Sequence, residues 1–132
     1  MNLIRGKIKS IRSTNGVSEV EVQTSIGILY SVVLESPGDA EFVRENSEVE
    51  CIFKEASVVV LREATPCINT FKGLVKSIDK GFLLSLLTVD CEGVFVKAML
   101  LKRQLDLLKI SEGDTVHVFL PPMQIALEVI HE

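Results

Sequence analysis

Hydrogen-bond donors, rather than nucleophiles or metal ligands, are what this chain offers to chemistry. His117 lies in an alternating strand pattern and His131 at the tail, with no second histidine or cysteine at ligand spacing. Asp79, Asp90 and Glu92 are close in sequence but sit around turns, which suits turn residues better than a paired acid and base. Cys51, Cys67 and Cys91 are odd in number and widely spaced, with no CxxC pair. That argues against both a disulfide framework and a zinc knuckle. Gly6 and Gly73 stand singly, so they fit a β-bulge or barrel corner better than a phosphate loop. No nucleophile–base pair, metal cluster or phosphate loop can be assembled, and an enzyme is not expected. Holding an anion is a different matter. Backbone amides and one lysine suffice for a tetrahedral oxyanion, whatever the overall charge.

That overall charge is −4, from 14 Lys and Arg against 18 Asp and Glu. A nucleic-acid surface needs a basic stripe to neutralise phosphates, so none is expected from this chain. Hydrophobic residues make up 47% and charged residues 24% of the 132 positions, enough to bury a core. Apolar runs such as Val58–Leu61 and Phe82–Leu87, the latter broken by Ser85, are far shorter than the roughly 20 residues of a membrane-spanning helix. The opening MNLIRGKIKS has no apolar signal core. The expected location is the cytoplasm, with no membrane partner. Cys51 falls in an alternating strand, where a small buried hydrophobe is the usual role.

The chain repeats itself. NLIRGKIKSI from Asn2 and NTFKGLVKSI from Asn69 are identical at five of ten positions, at an offset of 67 residues. Asn2 matches Asn69, Gly6 matches Gly73, and Lys9-Ser10-Ile11 matches Lys76-Ser77-Ile78. Gly27 and Gly93 correspond one residue out of step, and Val49 and Val116 return to register.

Each repeat reads as three strands, a short helix and two further strands. In the first, Leu3–Ile11 leads to a turn at Ser13–Gly16, and Glu19–Thr24 forms a hairpin with Ile28–Leu34. Asp39 caps a short helix through about Glu45, and Val49–Phe53 and Val58–Leu61 supply the last strands. In the second repeat, Leu101–Lys109 is the helix, stopped by Ser111–Asp114. The linker Glu63-Ala64-Thr65-Pro66 divides residues 1–63 from 67–132. The expected architecture is all-β with short helices, as two tandem five-stranded barrels of the OB (oligonucleotide/oligosaccharide-binding) type. A domain near this size buries only about 60% of its unfolded surface, so homo-oligomerisation through barrel strands is expected. Phe82–Leu87, apolar on both faces, suits a strand covered by core and neighbour alike.

Asn2 with Gly6-Lys7-Ile8, a glycine-bearing hairpin, a short helix and then Phe53-Lys54-Glu55-Ala56-Ser57-Val58 resemble the molbindin, or TOBE, pattern. That family opens S-A-R-N-x-x-x-G-x-V and later carries an I/F-K-x-[ST]-x-V junction. Met1 stands where the S-A-R triplet would end, and Pro66-Cys67-Ile68 replaces it in the second repeat. The resemblance covers nearly the whole chain and implies two molybdate-binding modules. It further implies a cytoplasmic store or sensor of molybdate or tungstate. The GxxxxGK[ST] loop of the transporter ATPases that carry the same module is absent from the sequence. The alternative is an interaction or regulatory module of the same fold that has lost anion binding.

The implied ligand is a dianion that must be taken from water and held by donors. On the resemblance, Lys54 supplies the ammonium, Ser57 a hydroxyl and Ala56 an unobstructed backbone amide. Asn2 and Asn69 offer side-chain amides, and Cys67 stands at the ligand-proximal position. Each residue also has a plainer role. Lys54 suits a solvated strand end, Ser57 a turn, the asparagines backbone caps, and Cys67 a packed junction. Leu120-Pro121-Pro122 occupies the lysine junction of the second repeat. Two prolines remove two amide donors there, so a site built on that junction is weakened or lost. Calorimetric titration with molybdate should accordingly return fewer than two anions per chain; two per chain would contradict this.

Overall fold

Period-two alternation of apolar residues carries through most of the chain and makes strands of it. The computed structural model describes residues 1–34 and 44–130. The short helix expected from Asp39 lies outside the described residues. The first half supplies β1 (Asn2–Thr14), β2 (Val17–Thr24), β3 (Gly27–Val33) and β4 (Glu48–Phe53). A 3-10 turn, Glu55–Ser57, then leads to the short β5 (Val59–Leu61). The second half supplies β6 (Thr70–Lys80), β7 (Leu84–Cys91), β8 (Val94–Leu101), α1 (Lys102–Leu108) and β9 (Thr115–Phe119). A second 3-10 turn, Pro122–Gln124, precedes β10 (Ala126–Val129). Hairpins β1–β2 and β7–β8 turn at Asn15-Gly16 (φ 49° and 76°) and Glu92-Gly93 (φ 51° and 91°). Left-handed φ at both central residues matches the right-handed twist of the flanking strands.

The strands make two five-stranded sheets, ordered β10-β4-β1-β2-β3 and β5-β9-β6-β7-β8. The fold is all-β with one short helix among the described residues, as expected. Its division is not the expected one. β5 pairs antiparallel with β9, placing Val59 opposite Phe119 and Leu61 opposite His117. β10 pairs antiparallel with β4, placing Leu127 opposite Cys51. Each sheet therefore takes its fifth strand from the other half of the sequence. One compact unit is Leu3–Phe53 with Pro122–Glu132, and the other is Lys54–Pro121 with Met1–Asn2. The segments 1–63 and 67–132 are not those units. The reason lies in the two 3-10 turns. Each interrupts the chain immediately after a sheet strand, so the next strand does not fold back as a tight hairpin would.

Within each unit the repeated frame keeps the same bulge and the same backbone bonds around it. β1 has a register shift between Ile8 and Ser10, and β6 has one between Val75 and Ser77. Ile8 N–H donates to Ser47 O at 2.9 Å, and Val75 N–H donates to Asp114 O at 2.9 Å. Asn46 N–H donates to Ile8 O and Gly113 N–H to Val75 O, both at 2.8 Å. Every one of these residues has its counterpart 67 positions away.

The irregularity expected at the glycines thus falls two residues further on, and Gly6 and Gly73 do something else. A β-carbon on Gly6 would lie 2.5 Å from Val22 Cγ1 and 2.7 Å from Gln23 O. One on Gly73 would meet Val89 Cγ1 and Asp90 O. Glycine is needed so that β2 and β7 can approach their neighbours. Phe82 and Leu83 are not strand residues either: they sit before β7, 92% and 68% exposed. In β7, Ser85, Leu87, Val89 and Cys91 face inward, while Leu84 and Leu86 do not. Gly6→Ala should destabilise the chain by about 1–3 kcal/mol, the usual cost of overpacking, in urea unfolding followed by circular dichroism. An unchanged midpoint would contradict the close approach.

Candidate functional site

All six residues that the resemblance assigns to a ligand fall in one compact unit, Lys54–Pro121 with Met1–Asn2. That unit holds nine Lys and Arg against eight Asp and Glu, while the other holds five against ten. The negative net charge of the chain therefore belongs to the other unit.

Lys54 ends the ascent from β4 in extended conformation (φ −81°, ψ 151°), at the start of the 3-10 turn Glu55–Ser57. Ser57 N–H donates to Lys54 O at 3.0 Å, and Val58 N–H donates to Glu55 O at 3.3 Å. The amide of Ala56, an exposed residue, stays outside both of these bonds. Lys54 is exposed, and Ser57 is half-buried. The turn packs against β8. Its Glu55 Oε1 receives the α-ammonium of Met1 at 2.6 Å. That ammonium holds the Glu55 carboxyl below the usual carboxylate range, with a smaller pull from Lys97.

Asn2 is nearly buried, at 5% exposure, and its side chain is engaged with β8. Nδ2 donates to Lys97 O at 2.7 Å, and Oδ1 accepts the Lys97 N–H at 2.8 Å. These two bonds extend the ladder by one side chain and leave one amide hydrogen of Asn2 uncommitted to them. Asn2, Lys54, Ala56 and Ser57 thus gather beside β8 at one end of the unit. Asn69 lies two strands away across the same sheet: Thr70, next to it, and Val59, beyond the turn, both pair with Phe119. It stands in the left-handed region (φ 58°) just before β6, where its Nδ2 donates to Leu120 O at 2.8 Å. Leu120 N–H donates back to Asn69 O at 2.9 Å. Asparagine tolerates this conformation because its short polar side chain bonds locally. Both asparagines satisfy backbone groups, the plainer of the two roles their sequence positions allow. Cys67 is exposed in the segment between β5 and β6, not packed into a junction.

The partner of Asn2 on β8, Lys97, was not legible in the sequence. It stands in the alternating VFVKAML of β8, where an exposed lysine is ordinary. The side chain of Asn2, 95 positions earlier, bonds its main chain. Asp90 Oδ1 accepts the Gly93 N–H at 2.7 Å, as a turn residue does, and His117 lies in β9 opposite Lys72. Among the described residues no group of three His, Cys, Asp or Glu could hold a metal ion.

No family model matches the chain, and no curated protein matches it. A solved structure does. It is that of the cytoplasmic molybdate-binding protein ModG, grown with molybdate bound, at a TM-score of 0.89 and 21% identity. The match spans 98% of this chain and 96% of that one. The chain has the fold of that protein over nearly its whole length.

Cys51 and Cys91 are buried, and burial pushes their thiols up to about 12 and about 11. Thiolates are the reactive form, so neither should titrate at neutral pH. A thiol reagent at pH 8 should label one cysteine per native chain, Cys67, and all three in denaturant. Rapid labelling of two or three in the native state would contradict these placements.

Proposed function

We propose that this chain binds molybdate or tungstate, as a cytoplasmic store or sensor of the molbindin kind, and catalyses no reaction. The observation that carries the reading is the fold shared end to end with a molybdate-binding protein. Support comes also from the distribution of charge. Lys54, the exposed Ala56 amide and Ser57 lie together on the unit that is not acidic. A tetrahedral dianion needs such donors, and charge-assisted bonds from an ammonium are the strong ones.

On this reading each five-stranded sheet curls into an OB-like barrel of the TOBE type. Homo-oligomers form through barrel strands, and neither nucleic acid nor membrane is a partner of this chain. The other unit's 3-10 turn, Pro122–Gln124, packs on β3 and carries no cation. One tip is charged and the other is not. The reading therefore assigns the main anion site to the unit of Lys54.

One observation favours a second reading, an interaction module without a ligand. Phe82, Leu83 and Leu107 are 92%, 68% and 78% exposed, around a groove shared with Leu101 and Arg103. Exposed apolar groups set together commonly mark contact surfaces.

Thermal unfolding separates the two. Ligand at about one hundred times Kd adds about 2.7 kcal/mol of stability. Millimolar molybdate should raise Tm while equal sulfate does not, and Lys54→Ala should remove the rise. No shift with molybdate moves the assignment to the interaction module; a full shift in Lys54→Ala takes Lys54 out of the site.

A further inference from the structure

Resting on the oxyanion reading, we infer that Lys97 supplies a second ammonium group to the binding tip and that Asn2 is the residue that positions it. Asn2 clamps the Lys97 main chain through both its amide groups, at 2.7 Å and 2.8 Å. Asn2 itself is 5% exposed, so the clamp is shielded from water and geometrically fixed. It holds β8, the strand against which the turn Glu55–Ser57 packs. From that anchored main chain the Lys97 side chain reaches the surface, where it is exposed. Among the described residues neither Lys97 nor Lys54 enters an ion pair. Glu55 already responds to Lys97: its carboxyl, held down chiefly by the Met1 ammonium, is held down in small part by that charge. A positive charge at this position therefore reaches the turn.

The other unit shows that this is not a by-product of the repeated frame. Lys97 lies opposite Thr88 across β7–β8, and 67 residues earlier Tyr30 lies opposite Glu21 across β2–β3. The Tyr30 hydroxyl donates to Glu21 Oε1 at 3.0 Å. A phenol and a carboxylate occupy the places that a lysine and a threonine occupy in the charged unit. The Met1 ammonium and the Glu55 carboxylate pair with each other, so Lys54 alone leaves a dianion with a net negative charge and Lys97 completes its neutralisation. Lys97 thereby makes the tip selective for dianions over monoanions of the same shape.

Calorimetric titration of the full chain with molybdate and with perrhenate, a tetrahedral monoanion, at two chloride concentrations tests this. Lys97→Ala should weaken molybdate binding about tenfold or more, with perrhenate much less affected, since its Coulomb attraction to the tip is about half. Its molybdate affinity should also depend less on salt, because one screened charge is gone. Lys97→Arg should restore most of the affinity. Asn2→Ala, which removes no charge, should weaken molybdate while keeping the wild-type salt dependence. Lys97→Ala with wild-type affinity and salt dependence would overturn the assignment of Lys97 and leave the oxyanion reading standing. A wild-type chain that takes up no molybdate would overturn both.

Discussion

Exchange of the final strands is the constraint on which the rest of this molecule depends. β4 and β9 each end at a 3-10 turn, and the strand beyond each turn pairs in the sheet built by the opposite half. Without β10 the ladder donors and acceptors of β4 would lose a partner along Val49–Ile52, and without β5 those of β9 would along His117–Phe119. Unpaired backbone groups at a sheet edge cost stability when buried and invite foreign strands when exposed. The exchange pairs those stretches, so that each sheet ends on a strand of only three or four residues. It also places the two turns, which differ most in chemistry, where the chain passes from one unit to the other.

The chemical contrast between those turns comes from four residues in each. Lys54-Glu55-Ala56-Ser57 brings an ammonium, a carboxylate, a small residue with an open amide, and a hydroxyl. Pro121-Pro122-Met123-Gln124 brings two residues without an amide hydrogen and no charge at all. The surrounding frames are otherwise alike, down to the bulges after Ile8 and Val75 and the bonds they make to Ser47 and Asp114. The two frames share their packing, while one of the two turns carries charge and the other does not. Packing constrains Gly6 and Gly73 equally; charge constrains only one unit.

Much of the scaffold was legible because its signals are local. Alternation, the Asn15-Gly16 turn and the recurrence of Asn, Gly and Lys-Ser-Ile at a fixed offset all lie within a few residues of one another. The partners of β5 and β10 were not legible. Strands of three and four residues carry too little pattern to specify a register, so adjacency in sequence gave the wrong neighbour. The role of Gly6 was also hidden, since the crowding atoms belong to Val22 and Gln23 on another strand. Of the candidate site, the 3-10 turn after Lys54 follows the junction that the sequence singled out. The clamp between Asn2 and Lys97 could not be read from the sequence, because it joins residues 95 positions apart through a side chain. Asparagine at a strand start looks the same whether it bonds a ligand or a neighbouring strand.

The most direct test of strand exchange is the folding of the two halves made separately. Residues 1–63 and 67–132, each lacking the partner strand held by the other, should show no cooperative thermal unfolding alone. Mixed in equal amounts, they should recover a single transition and the far-ultraviolet signal of the intact chain. A half that unfolds cooperatively by itself, unaffected by adding the other, would contradict the exchange.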